Sequence, residues 1–138
     1  MAERRGRKTI PRHNFKKYLN VAEHFYQAAK DSLELDYWTA AGVLIVHSAI
    51  AFSDALCIKL SGVKSVGENH EDAIELLEKT IGNTDEKSSA INHVKRLIEE
   101  KTKVSYLGEL YSSAQTKEMW KRLERFRKWS LTILNRQQ

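Results

Sequence analysis

The stretch YWTAAGVLIVHSAIAFSDALCIKLS, Tyr37 to Ser61, decides the fold. Its apolar residues (Ala40, Ala41, Val43 to Val46, Ala49, Ile50, Phe52, Leu56, Ile58, Leu60) fall on almost every side of a helix rather than on one stripe. A helix that is apolar all round belongs in the middle of a bundle. Its length would be about 37 Å, enough to cross a domain of this size. Gly62 stands directly behind it, where a helix stop is easiest to make.

A central helix needs amphipathic neighbours, and the flanking sequence supplies them. Upstream, Asn14 can cap a helix in which Phe15, Tyr18, Leu19, Ala22, Phe25, Tyr26 and Ala29 share one face, running to about Leu33. Asp36, after the short Glu34-Leu35 connection, is placed to cap the central helix. Downstream, Asn69 and Asp72 mark the start of a third helix through Ala73, Ile74, Leu76, Leu77 and Ile81, closed by Gly82-Asn83. A fourth begins near Thr84-Asp85 and carries Ile91, Val94, Leu97 and Ile98 toward Val104. The last starts between Ser113 and Thr116, with Met119, Trp120, Leu123, Phe126, Ser130, Ile133 and Leu134 facing inward. No strand-like alternation persists and no internal repeat is visible. The expected fold is all-α, an up-and-down bundle of about five helices over 14–138, preceded by a flexible basic arm over 1–13.

Composition agrees. The 138 residues are 41% hydrophobic, with one proline (Pro11) and six glycines, so a packed core is available and helix breakers are scarce. Cys57 is alone, which excludes an intramolecular disulfide and makes a reducing compartment the default. His47, Asp54 and Lys59 interrupt the central apolar run before it reaches the roughly 18 residues of a membrane span. The N-terminus lacks the apolar core of a secretion signal. A cytoplasmic protein without a membrane partner is expected.

Charge is unevenly placed. The net +5 is the outcome of basic ends and an acidic middle: 1–17 and 117–136 are strongly positive, 18–116 negative. Basic ends read either as solvated surface or as a region that meets an anionic partner.

Searching for chemistry narrows the field. The five histidines are scattered, with no metal-ligand spacing on any helix, and a single cysteine makes zinc improbable. No glycine-rich phosphate loop or nucleophile elbow is present, and nothing calls for a cofactor. Three features remain. His47 and Asp54 lie two turns apart on the central helix, either partly wetted or lining a pocket or subunit interface. Lys64-Ser65-Val66-Gly67-Glu68-Asn69-His70 offers a lysine, a hydroxyl and amides before a helix, either an ordinary capped turn or an anion site. Lys121, Arg125 and Lys128 form a basic stripe on the last helix, either solubilising or contacting nucleic-acid phosphates.

The central helix, the Lys64–His70 loop leading into Ala73 to Leu77, and Lys101 to Tyr106 followed by an aromatic-rich final helix together resemble the HEPN superfamily, over about residues 14–134. The resemblance implies a helical bundle that often pairs as a homodimer. It also implies a toxin–antitoxin or defence setting in which members cut RNA, bind RNA or nucleotides, or pair with a nucleotidyltransferase-type partner protein. Members that are RNases use an Arg-x(4–6)-His motif late in the bundle. Here Lys101-Thr102-Lys103-Val104-Ser105-Tyr106 stands in its place. A tyrosine, with a pKa of about 10, is a poor general base at pH 7. The sequence therefore favours a non-catalytic module engaging RNA, a nucleotide or a partner protein, with Asp54, Lys64, Ser65, His70, Lys103 and Tyr106 as candidate ligand-binding residues. The alternatives are a divergent metal-independent ribonuclease using His70 and Lys103, and a purely protein-interacting subunit.

Overall fold

The computed structural model describes residues 6–66, 70–107 and 110–136, with side chains described throughout except at 70 and 102–107. Within them lie five α-helices: α1 (Phe15–Glu34), α2 (Trp38–Ser61), α3 (His70–Thr80), α4 (Lys87–Leu107) and α5 (Ser113–Leu134). The all-α bundle read from periodicity is the fold found.

Helix α2 forms the axis, as its all-round apolarity requires. Ala41, Ile45, Ala49, Phe52, Ala55, Leu56 and Ile58 on it are fully buried. By length and composition alone it could cross a membrane, but 72% of its most apolar window is buried inside the bundle. Averaged over a window, its few polar groups do not break the run, so burial rather than sequence identifies it as a core helix. Around it, Leu77 of α3, Val94 and Leu97 of α4, and Leu123 and Phe126 of α5 complete a core in which each is fully buried.

Polar ties fix the packing of the long helices. The buried Ser48 hydroxyl donates to the Ala22 carbonyl at 2.8 Å, joining α2 to α1. Thr116 donates to the Trp38 carbonyl at 3.2 Å, placing the start of α5 beside the start of α2. Lys59 donates to the Leu134 carbonyl and so holds the other ends together, a cation at a helix C-terminus where the dipole favours it. Helices α2 and α5 thus run parallel. Helix α1 runs against both, since Arg127 of α5 forms a bidentate pair with Glu23 of α1 (2.6 and 2.8 Å) while Trp120 stacks on Tyr26 at 4.8 Å.

Two local readings are corrected. The first concerns residues 6–13 of the arm assigned to 1–13, of which 1–5 lie outside the described residues. Arg7–Thr9 form a strand, β1, paired antiparallel with β2 (Val63–Ser65) in the register Arg7↔Ser65, Lys8↔Lys64, Thr9↔Val63. Ile10 behind it is buried, and Arg12–Asn14 make a 3-10 turn into α1. Three-residue strands leave no periodic signal, which is why the sequence does not announce them. The second concerns caps. Asn14 stands at the N-cap of α1 without a side-chain capping bond, and the N-cap of α2 is Tyr37 rather than Asp36. Asp36 instead takes the left-handed conformation at φ 62, which Asp tolerates better than most residues, and turns the chain from α1 into α2. The helix starts that do follow sequence rules are at the other end: Ser112 and Gln115 form a reciprocal capping box on α5.

Candidate functional site: a basic cleft between α4 and α5

The structure brings together three of the residues singled out in the sequence. Lys64 Nζ lies 3.8 Å from Asp54 Oδ2, and Ser65 Oγ donates to Asp72 Oδ2 at 3.4 Å. Asp72 in turn accepts two bonds from the Arg7 guanidinium, 2.9 and 3.3 Å, so β1, β2 and α3 are joined by one ionic network. Burial pushes the Asp54 carboxyl up to about 7, with Lys64 pulling the other way. Burial and the Asp54 charge push the neighbouring Cys57 thiol up to about 12, so it carries no thiolate at neutral pH. The charges of Asp54 and Lys64 face each other, and the Ser65 hydroxyl bonds Asp72: this cluster pins the hairpin to the bundle. Arg7 and Asp72 belong to it and were missed, because nothing in the sequence brings the N-terminal segment to α3. His47, two turns before Asp54, is exposed and stacks on Phe25 at 5.5 Å.

His70 opens α3, while Lys103 and Tyr106 fall near the end of α4; their side chains, like all of 67–69, lie outside the described residues.

A cleft of about 900 Å³ lies elsewhere, where the start of α4 meets the end of α5. Asn83 to Glu86, Ser89, Ala90 and His93 form one wall; Arg125, Lys128, Trp129, Thr132 and Arg136 form the other. Arg125 and Lys128 come from the expected basic stripe, while Lys121 is exposed on α5 outside the cleft lining. Positions 125, 128 and 132 are spaced to share one side of α5, and Arg136 joins them from just past the helix.

Each wall is held in place by named contacts. Lys87 Nζ donates to the carbonyls of Glu78 (3.0 Å) and Ile81 (2.8 Å), which caps α3 and fixes where α4 begins. Glu86 takes φ 67, a backbone strain of the order of 1 kcal/mol for a residue of this type, immediately before α4. On the other wall Trp129 is only 7% exposed and packs at 5.8 Å from Phe126.

The electrostatics of the cleft are lopsided. Arg125, Lys128 and Arg136 are exposed and have no ion-pair partner among the described residues. The first turn of α4 adds the positive end of its dipole to the same space. Asp85 and Glu86 on the rim of the α4 wall are the acidic counterweight. Two polar atoms of lining residues, Trp129 Nε1 and Thr84 Oγ1, are buried without a hydrogen-bond partner, an unusual state that costs on the order of 1–3 kcal/mol each.

A short relay runs from Arg122 of α5 along the α4 wall. Arg122 Nη1 lies 3.2 Å from His93 Nδ1, and His93 Nε2 lies 3.4 Å from Ser89 Oγ. Arginine can only donate, so His93 Nδ1 is the acceptor and the ring proton sits on Nε2. Burial and the positive charges of Arg122 and Arg125 hold the His93 pKa below its ordinary value, which keeps the ring neutral at pH 7. Nε2–H then donates to Ser89, leaving the serine proton free to donate in turn. His93 carried no recognisable signal in the sequence, where it is one of five scattered histidines.

Among the described residues no group of three or more His, Cys, Asp or Glu side chains is arranged to hold a metal. What the cleft offers is hydrogen-bond donors and positive charge. Compared with known proteins, the chain matches no family model, no curated protein and no solved structure.

Proposed function

We propose that this chain is a non-catalytic, HEPN-like binding module that holds RNA by its phosphates in the cleft between α4 and α5. The observation that carries this reading is the convergence of Arg125, Lys128 and Arg136 on one cleft, none of them in an ion pair among the described residues. Three cations outside any ion pair among the described residues, beside a helix N-terminus, make an anion the ligand of complementary chemistry. The positive balance of 117–136 extends the same field and steers a polyanion toward it. The resemblance to the HEPN superfamily supports RNA as the anion, and the Lys101–Tyr106 segment supports binding without cleavage.

The test is binding of single-stranded RNA over a salt series, with the strand's integrity followed in the same samples. Three side-chain cations engaged on phosphates predict a log–log salt slope of about −2, with the RNA intact. Charge removal at Arg125 and Lys128 should flatten that slope to about −1. Cleavage would overturn the non-catalytic part of the reading, and salt-independent or absent binding would overturn the whole of it.

A further inference from the structure

Resting on the phosphate-binding reading above, we infer that the cleft recognises a phosphate monoester at the end of an RNA strand rather than an internal stretch of strand. Three features of the cleft lead there. The first is the direction of its donors. A terminal phosphate presents three free oxygens and close to two negative charges, and so needs donors from more than one side. The cleft provides them: the Ser89 hydroxyl in the first turn of α4 on one wall, Arg125 and Lys128 on the other.

The second is the Arg122–His93–Ser89 relay. With the His93 proton committed to Ser89, the serine hydroxyl keeps its own proton to donate to a ligand. A hydroxyl fixed in that sense suits an acceptor-only group. An unliganded surface serine needs no such support.

The third is the placement of Asp85 and Glu86. A strand running on past the start of α4 would bring further phosphodiesters against these carboxylates. A strand that ends there presents ribose hydroxyls and base amino groups to them instead, which carboxylates accept. The cleft is thus cationic at one wall and anionic at one rim, a pattern that fits a chain end and penalises a continuous polyanion.

The cleft volume of about 900 Å³ also lies within the range of sites that take one small ligand.

The experiment compares two RNA oligonucleotides of one sequence, one with a 5′-phosphate and one with a 5′-hydroxyl, binding to the full chain. The 5′-phosphorylated strand should bind at least tenfold more tightly. Ser89→Ala should reduce that preference several-fold, and Arg125→Gln should weaken the phosphorylated strand about tenfold. Both positions are exposed, so circular dichroism melts of the variants should match the parent. Equal affinity for the two strands, with a normal salt dependence, would overturn the end-recognition inference and leave the RNA-binding reading standing. Binding to neither would overturn both.

Discussion

Asp54 sits on the central helix with its side chain 15% exposed and one partner, Lys64, at 3.8 Å. Its carboxyl is raised from 3.8 to about 7, chiefly by burial. The folded state therefore holds a proton on Asp54 that the unfolded state has already released between about pH 4 and pH 7. The stability this contributes is complete below about pH 4 and is lost as pH rises through about 7. Asp54→Asn keeps the shape and cannot ionise. The variant should match the parent in urea unfolding near pH 4 and exceed it at pH 8. The gain there should be about 1–3 kcal/mol, less than the full shift implies because Lys64 loses its partner. A difference of the same size at both pH values would contradict this account of the side chain. At this scale the sequence was partly legible: a charged group in an apolar helix stands out, and Lys64 was a plausible partner for it. Arg7 and Asp72 were not legible, since their meeting depends on the hairpin.

The elements were more legible than the side chains, and the reason is periodicity. The apolar faces of α1 and α5 and the all-round apolarity of α2 locate those helices to within a residue or two of where they lie. What periodicity cannot show is how closely two elements approach. Gly42 of α2 is buried, and a methyl group there would overlap the ring of Tyr111, whose hydroxyl donates to the Glu100 carbonyl at 2.8 Å. The glycine is there for closeness, not for backbone freedom. Gly42→Ala should destabilise the fold by about 1–3 kcal/mol through overpacking, seen as a lower thermal midpoint. Gly82→Ala, with open space around its would-be methyl, is the matched control and should shift the midpoint little. Comparable losses in the two variants would show that the Gly42–Tyr111 contact is not what sets the cost. The β1–β2 pair marks the lower limit of legibility: it is held by register, by Gly62 in the left-handed conformation (φ 71) at its entry, and by the Arg7–Asp72 pair, none of which has a sequence period.

At the scale of the molecule, function depends on which ends the bundle brings together. The up-and-down arrangement sets the start of α4 against the end of α5, and only there do Arg125, Lys128, Arg136, His93 and Trp129 become one surface. The basic stripe could be read from spacing, and two of its three residues line the cleft. The cleft itself could not be read, because it joins segments far apart in the chain and relies on Trp129, whose spacing marks it only as a packing residue. That residue also makes the central claim directly testable. The chain has three tryptophans, and their indole N–H groups give separate signals in a proton–nitrogen correlation spectrum. Trp38 lies beneath Lys117 and Trp120 against Tyr26, both outside the cleft lining. The decisive measurement is a titration of the nitrogen-labelled protein with a 5′-phosphorylated single-stranded RNA, watching those signals. Binding in the cleft predicts that the Trp129 indole signal moves while those of Trp38 and Trp120 stay in place. A Trp129 signal that stays fixed while either of the others shifts, or while all remain still, would contradict it.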